Sequence, residues 1–242
     1  SCTYNGTAQT PTVTVKDGST TLRQGTDYTV QYASNTNAGT GTVTITGCGK
    51  YKNTKTATFT IARRNLSNAT LTAAAETYNY GAAVTSSNIT VKDNGLGRTL
   101  TNNTDYTIGS YNAVNVGNVT ITATGKGNYT GTVSGTFTVN ALNVSSIAAV
   151  TLNQTEFTQT GSEIKPTVTA VTAGGHTLRA GTDYTVSYQN NTAVGTAAKV
   201  IVTFKGNYTG SKTVYFTIKS NSSSGGDTGA KDISAASVTV AS

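Results

Sequence analysis

The 242-residue chain has no Trp, no Met, one His and only two Pro, and just 11% of its residues are charged. An ordinary soluble domain carries roughly 25% charge. No run of 18 apolar residues occurs, so the sequence offers no membrane span. No basic run longer than Arg63-Arg64 is present either. A nucleic-acid reader needs a basic patch interleaved with stacking aromatics, so that class is set aside. His176 has no recurring partner for a catalytic triad or a zinc site, and the ten acids never gather into a calcium loop. The sequence therefore implies no enzyme, no metal and no cofactor. Signal peptide and lipidation box are also missing, which suggests that Ser1 and Ser242 are not the gene's own ends.

What is present is Thr, Val, Ile, Tyr, Asn, Ser and 26 Gly. Thr, Val and Tyr suit a pleated, half-buried surface, and Gly, Asn and Asp mark turns. The net charge of +7 is spread thinly. Residues 1–62, 63–140 and 141–219 carry net charges of +3, +2 and +3, and 220–242 a net charge of −1.

Internal repetition sets the organisation. Leu22, Leu100 and Leu178 lie 78 residues apart, as do Asp27, Asp105 and Asp183, and Gly39, Gly117 and Gly195. Each Asp begins an Asp-Tyr-Thr-Val/Ile phrase. Each repeat later reaches a Gly-containing turn before Tyr51, Tyr129 or Tyr208, and closes on Phe59-Thr-Ile61, Phe137-Thr-Val139 or Phe216-Thr-Ile218. Apolar residues alternate in these stretches, the mark of strands with one buried face. One extra residue between Gly195 and Tyr208 predicts a β-bulge in the third repeat. The expected fold is all-β: three tandem small antiparallel β-sandwich modules in a rod, immunoglobulin-like or grasp-like. Their bounds are 1–62, 63–140 and 141–219, followed by a Ser/Gly linker and an orphan strand in 220–242.

The repeated aspartates are expected to cap turns, with a weak cation site as the alternative. Cys2 and Cys48 are an even pair in a chain of secretory composition, which predicts a disulfide. Such a bond would close a loop of about 46 residues and restrict the unfolded chain by about 4 kcal/mol.

The phrase Gly-Thr-Asp-Tyr-Thr-Val-x-Tyr, the Gly twelve residues after the Asp, and Gly-Lys-Gly-Asn-Tyr-Thr-Gly before Phe-Thr-Ile together resemble the MBG-type and bacterial immunoglobulin-like repeats of large bacterial surface proteins. The resemblance covers residues 1–219. It implies an extracellular or cell-surface stalk, adhesin or filament module without catalysis. Partners implied are neighbouring repeats or other copies, head to tail. Glycans are the alternative partner, met by an adhesin through exposed tyrosines such as Tyr215.

The two ends are unequal. Leu66-Ser67-Asn68-Ala69-Thr70-Leu71-Thr72 opens the second repeat and Val144 to Leu152 the third, but the first repeat begins past any such strand. A matching stretch, Ile233-Ser234-Ala235-Ala236-Ser237-Val238-Thr239-Val240, follows the third repeat. Ile233, Ala236, Val238 and Val240 are therefore candidate strand-donor residues that would complete the first repeat of the next copy. The alternative is an excised window of a longer array.

Overall fold

A computed structural model describes residues 1–221. Every sizeable element is a strand, and the chain divides into two compact units, Ser1–Asn140 and Ala141–Ser242.

The second unit is the simpler one. A four-stranded sheet runs in the order Glu156–Thr158, Ser211–Lys219, Gly195–Phe204, Tyr184–Gln189. A three-stranded sheet of Ala148–Leu152, Val168–Ala173 and His176–Thr177 accompanies it. Alternation along Gly195–Phe204 buries Ala198, Val200 and Val202, and Phe216 and Ile218 come in from the neighbouring strand. Ile164 joins them in one cluster, against which Leu152, Phe157 and Val168 pack. The register between the two long strands shifts between Gly195 and Ala198, which is the bulge expected from the extra residue.

The first unit holds two repeats. Residues 63–140 show the same two sheets: Tyr106–Ile108, Gly117–Gly125, Thr132–Asn140 and Glu76–Thr77 in one, Arg98–Thr99, Thr90–Asp93 and Ala69–Thr72 in the other. A single 3-10 turn, Leu66–Asn68, leads into Ala69–Thr72, and the Asn65 side chain caps it by accepting from the Ser67 N–H. Residues 1–62 keep the four-stranded sheet, ordered Cys2–Thr3, Thr54–Ala62, Gly39–Gly47, Tyr28–Ala33. Its companion is reduced to the hairpin of Lys16–Asp17 with Thr20–Thr21.

The first strand of each four-stranded sheet runs parallel to the closing strand: Cys2 opposite Ile61, Glu76 opposite Val139, Phe157 opposite Ile218. Alternation alone led us to expect antiparallel pairing throughout. A period of two reports which face is buried and carries no information on strand direction.

Within the first unit the two repeats are tightly connected. Arg64–Asn65, separated from the first repeat's closing strand by Arg63 alone, pairs in parallel with Tyr129–Thr130. Tyr4 meets Tyr129 edge to face with centroids 5.6 Å apart, and Arg98 donates to the Tyr4 hydroxyl at 3.1 Å. The Ala38 N–H donates to the Asn128 side chain at 2.7 Å.

The expected Cys2–Cys48 disulfide is absent, and both thiols are free. Cys2 pairs opposite Ile61, which is itself opposite Gly39, whereas Cys48 follows Gly47 at the far end of that strand. Eight residues of strand separate the two levels, about 27 Å at roughly 3.4 Å per residue, and a disulfide bridges Cα atoms within about 7 Å. Compositional arithmetic suggested the bond, and the topology forbids it.

Candidate functional site

The recurring aspartates do the same work three times. Asp27 accepts from the Arg23 N–H at 2.8 Å, Asp105 from Thr101 at 2.9 Å, and Asp183 from Arg179 at 2.8 Å. Each Asp N–H also donates back to the same residue's carbonyl, and each Asp carbonyl accepts from the glycine-rich turn, at Cys48, Lys126 or Lys205. This closed corner leaves the carboxylates occupied in the fold. The recurring Tyr28, Tyr106 and Tyr184 are buried, and so are Tyr129 and Tyr208. Among the described residues no three His, Cys, Asp or Glu side chains gather into a metal-holding group.

What distinguishes one repeat from the others is an open groove in residues 1–62. It is lined by Val13, Val15, Ile45, Lys55 and Ala57, and continues past Leu22 to Tyr51 and Lys52. The phrase Val13-Thr-Val-Lys-Asp17 matches Ile89-Thr-Val-Lys-Asp93, which makes Val15 the equivalent of Val91. The Leu22 N–H donates to the Val15 carbonyl just as Leu100 donates to Val91 and Leu178 to Val171. Val91 and Val171 are fully buried, but Val15 is half-exposed. The same contrast holds between half-exposed Leu22 and buried Leu100 and Leu178, and between half-exposed Tyr51 and buried Tyr129 and Tyr208. Ile45 is likewise half-exposed where Ala123 and Val202 are buried.

The cause is a strand. In the second repeat Ala69–Thr72 lies against Thr90–Asp93, with Leu71 opposite Val91, and Leu66 and Leu71 are buried there. In the third, Ala148–Leu152 lies against Val168–Ala173, and Val144 and Ala148 are buried. Among the described residues, Lys16–Asp17 pairs only with Thr20–Thr21, and no strand covers Val15. Fully burying a Val, Leu or Ile side chain stabilises by about 1.5–3 kcal/mol, so a strand laid in this groove has several such side chains to cover. The unpaired backbone edge beside Val15 is itself a template for strand pairing.

The uncovered repeat is legible in the sequence from its missing first strand, whereas the groove's walls are not. The Val-Lys-Asp match would have found Val15. Lys52 and Lys55, standing where the second repeat has Thr130 and Val133, would have flagged the basic rim. Of the expected site residues, Cys2 and Cys48 lie at opposite ends of the first repeat's sheet. Ile233, Ala236, Val238 and Val240 lie outside the described residues.

No protein-family model matches the chain, and no curated protein matches it. Among solved structures it is similar to the surface layer protein SbsC, domains 4–9, at 18% identity and a TM-score of 0.22. That match covers 87% of this chain and 42% of that structure, so the chain spans less than half of its length. It is also similar to the protocadherin gammaB7 EC3–6 cis-dimer structure, at 12% identity and a TM-score of 0.25, over 90% of this chain and 70% of that one. Both superpositions are loose, and the functional reading rests on this chain's own residues.

Proposed function

We propose that the chain is a non-enzymatic structural repeat region of an extracellular bacterial surface protein, a length of stalk or a filament subunit. The observation that carries this reading is where the shared residues lie. Asp27, Asp105 and Asp183 close turns, and Tyr28, Tyr106 and Tyr184 fill cores. What the repeats have in common thus builds the module and leaves no common surface for a ligand or a reaction. Small-angle scattering tests it: the expected result is the long-tailed distance distribution of three modules in a rod, and the profile of a compact globule refutes it.

A second reading, a glycan-binding adhesin module, is favoured by one residue. Tyr215 is 61% exposed on the strand Ser211–Lys219. Glycan-array binding lost on Tyr215→Ser would establish that reading over the first.

A further inference from the structure

We propose that the groove of the first repeat takes the strand Ile233–Val240 of a second copy of the chain, paired antiparallel with Thr14–Asp17. This names the partner of the stalk-or-filament reading and rests on that reading for its setting.

Three observations choose this occupant. The first is the pattern of apolar residues. Ile233 falls where Leu66 and Val144 stand, each buried at the head of a filling strand. Carried over from the second repeat, the register places Ala236 opposite Asp17 and Val238 opposite Val15, just as Ala69 faces Asp93 and Leu71 faces Val91. Val240 then falls beside Val13, so the inward face of the donor is Ala236, Val238 and Val240.

The second is charge. In the second repeat Arg64, two residues before Leu66, forms an ion pair with Asp93, whose side chain is almost completely buried. In the third repeat the same two positions are Leu142 and Ala173, an apolar pair. For the proposed pairing they are Lys231 and Asp17, an ion pair again. The basic donor position and the acidic groove position therefore occur together, and both are absent together. Lys231 suits the first repeat's groove in a way that Leu142 would not.

The third is the cap. Asn65 and Asn143 each accept from the N–H two residues on, at 2.8 Å and 3.0 Å, turning the chain into the filling strand. Asp232 holds the same place before Ile233. One local difference exists: Asn53, with φ of 70°, stands where the second and third repeats have Gly131 and Gly210. A Cβ at Gly131 would come 2.7 Å from the Asn65 side-chain oxygen, so Asp232 must seat slightly apart from the Asn65 position. Lys52 and Lys55 on the groove rim and the Asn53 amide supply partners for its carboxylate there.

The third repeat's own groove is already filled by Ala148–Leu152, so the proposed acceptor is the open first-repeat groove of a second copy. Repeated head to tail, the contact is heterologous and generates an open polymer.

The test uses full-length chains in sedimentation velocity and electron microscopy. The wild-type chain is expected to assemble with rising concentration. Val238→Asp (donor blocked) and Ala57→Trp (groove blocked, at an exposed position) should each stay at the 24.8 kDa monomer. Mixed, they should give a one-to-one dimer and stop, because pairing uses the one working donor and the one working groove, and only the blocked ends are left. Lys231→Asp and Asp17→Lys should each weaken assembly at least tenfold, and the double variant should restore it. Assembly of Val238→Asp equal to wild type overturns the proposal. So does a mixture of the blocked variants that remains monomeric, which is the outcome of a strand folding back on its own chain. Scattering of the monomeric Val238→Asp variant judges the stalk reading separately: a globular profile there sinks the rod while the strand exchange stands.

Discussion

The carbonyl oxygen of Leu71 sits 2.5 Å from where a Cβ on Gly135 would have to be. The filling strand of the second repeat thus rests directly on the backbone of Thr132–Asn140, and glycine is what permits the approach. In the open first repeat the equivalent residue is Ala57, and it is exposed.

Gly135→Ala is therefore expected to destabilise the first unit by about 1–3 kcal/mol, because backbone has to move. Ala57→Val should stay within about 0.5 kcal/mol as a monomer. Chemical denaturation of the two variants side by side checks the contrast, and equal effects would mean the two grooves do not correspond.

Acid sensitivity should trace to Asp93. Burial pushes its carboxyl up, but the Arg64 guanidinium and the Leu96 and Gly95 N–H groups outweigh that and hold it below the usual carboxylate range. A carboxyl depressed in the folded state adds stability that is present above the unfolded value of 3.8 and lost as pH falls through the folded one. The first unit should hold its stability down to about pH 4–5 and lose it below. Asp93→Asn should cost about 1–3 kcal/mol at pH 7 and flatten that acid limb, read from melting temperature against pH.

The corner aspartates can be isolated in the second unit, where Asp183 bonds the Arg179 N–H. Asp183→Ala is expected to cost about 1 kcal/mol and Asp183→Asn less, since the amide oxygen still accepts. A calcium-dependent melting temperature would instead support the cation alternative.

Non-reducing alkylation followed by mass spectrometry should label both Cys2 and Cys48. Cys48→Ser should leave stability within about 0.5 kcal/mol of wild type, whereas a real disulfide would cost several times that.

Much of this was legible in the residues. The 78-residue spacing located the recurring corner and its aspartate, because side-chain-to-backbone caps depend on local sequence alone. Tyr28 and Ile61 were legible as core from alternation, and both are buried. The parallel pairing of Cys2–Thr3 was hidden, since direction is set by where a distant segment docks. The same distant docking carries Cys2 away from Cys48. The groove was half-legible: the uncovered repeat showed in the spacing, but its walls come from three separate strands and a hairpin.

The parallel pairing also bears on what happens when the chain is pulled. In each repeat the first strand of the four-stranded sheet and the closing strand lie side by side and run the same way: Cys2–Thr3 with Ile61–Ala62, Glu76–Thr77 with Val139–Asn140, Glu156–Thr158 with Thr217–Lys219. Tension that reaches the start of the first of these strands and the end of the second drags the two neighbours lengthwise past each other, in shear. Every hydrogen bond between them is then loaded at once, whereas a hairpin pulled from its open end gives way one bond at a time. At Ala62 to Arg64 only Arg63 separates one such ladder from the next, so load leaving the first repeat passes straight into the pairing with Tyr129–Thr130.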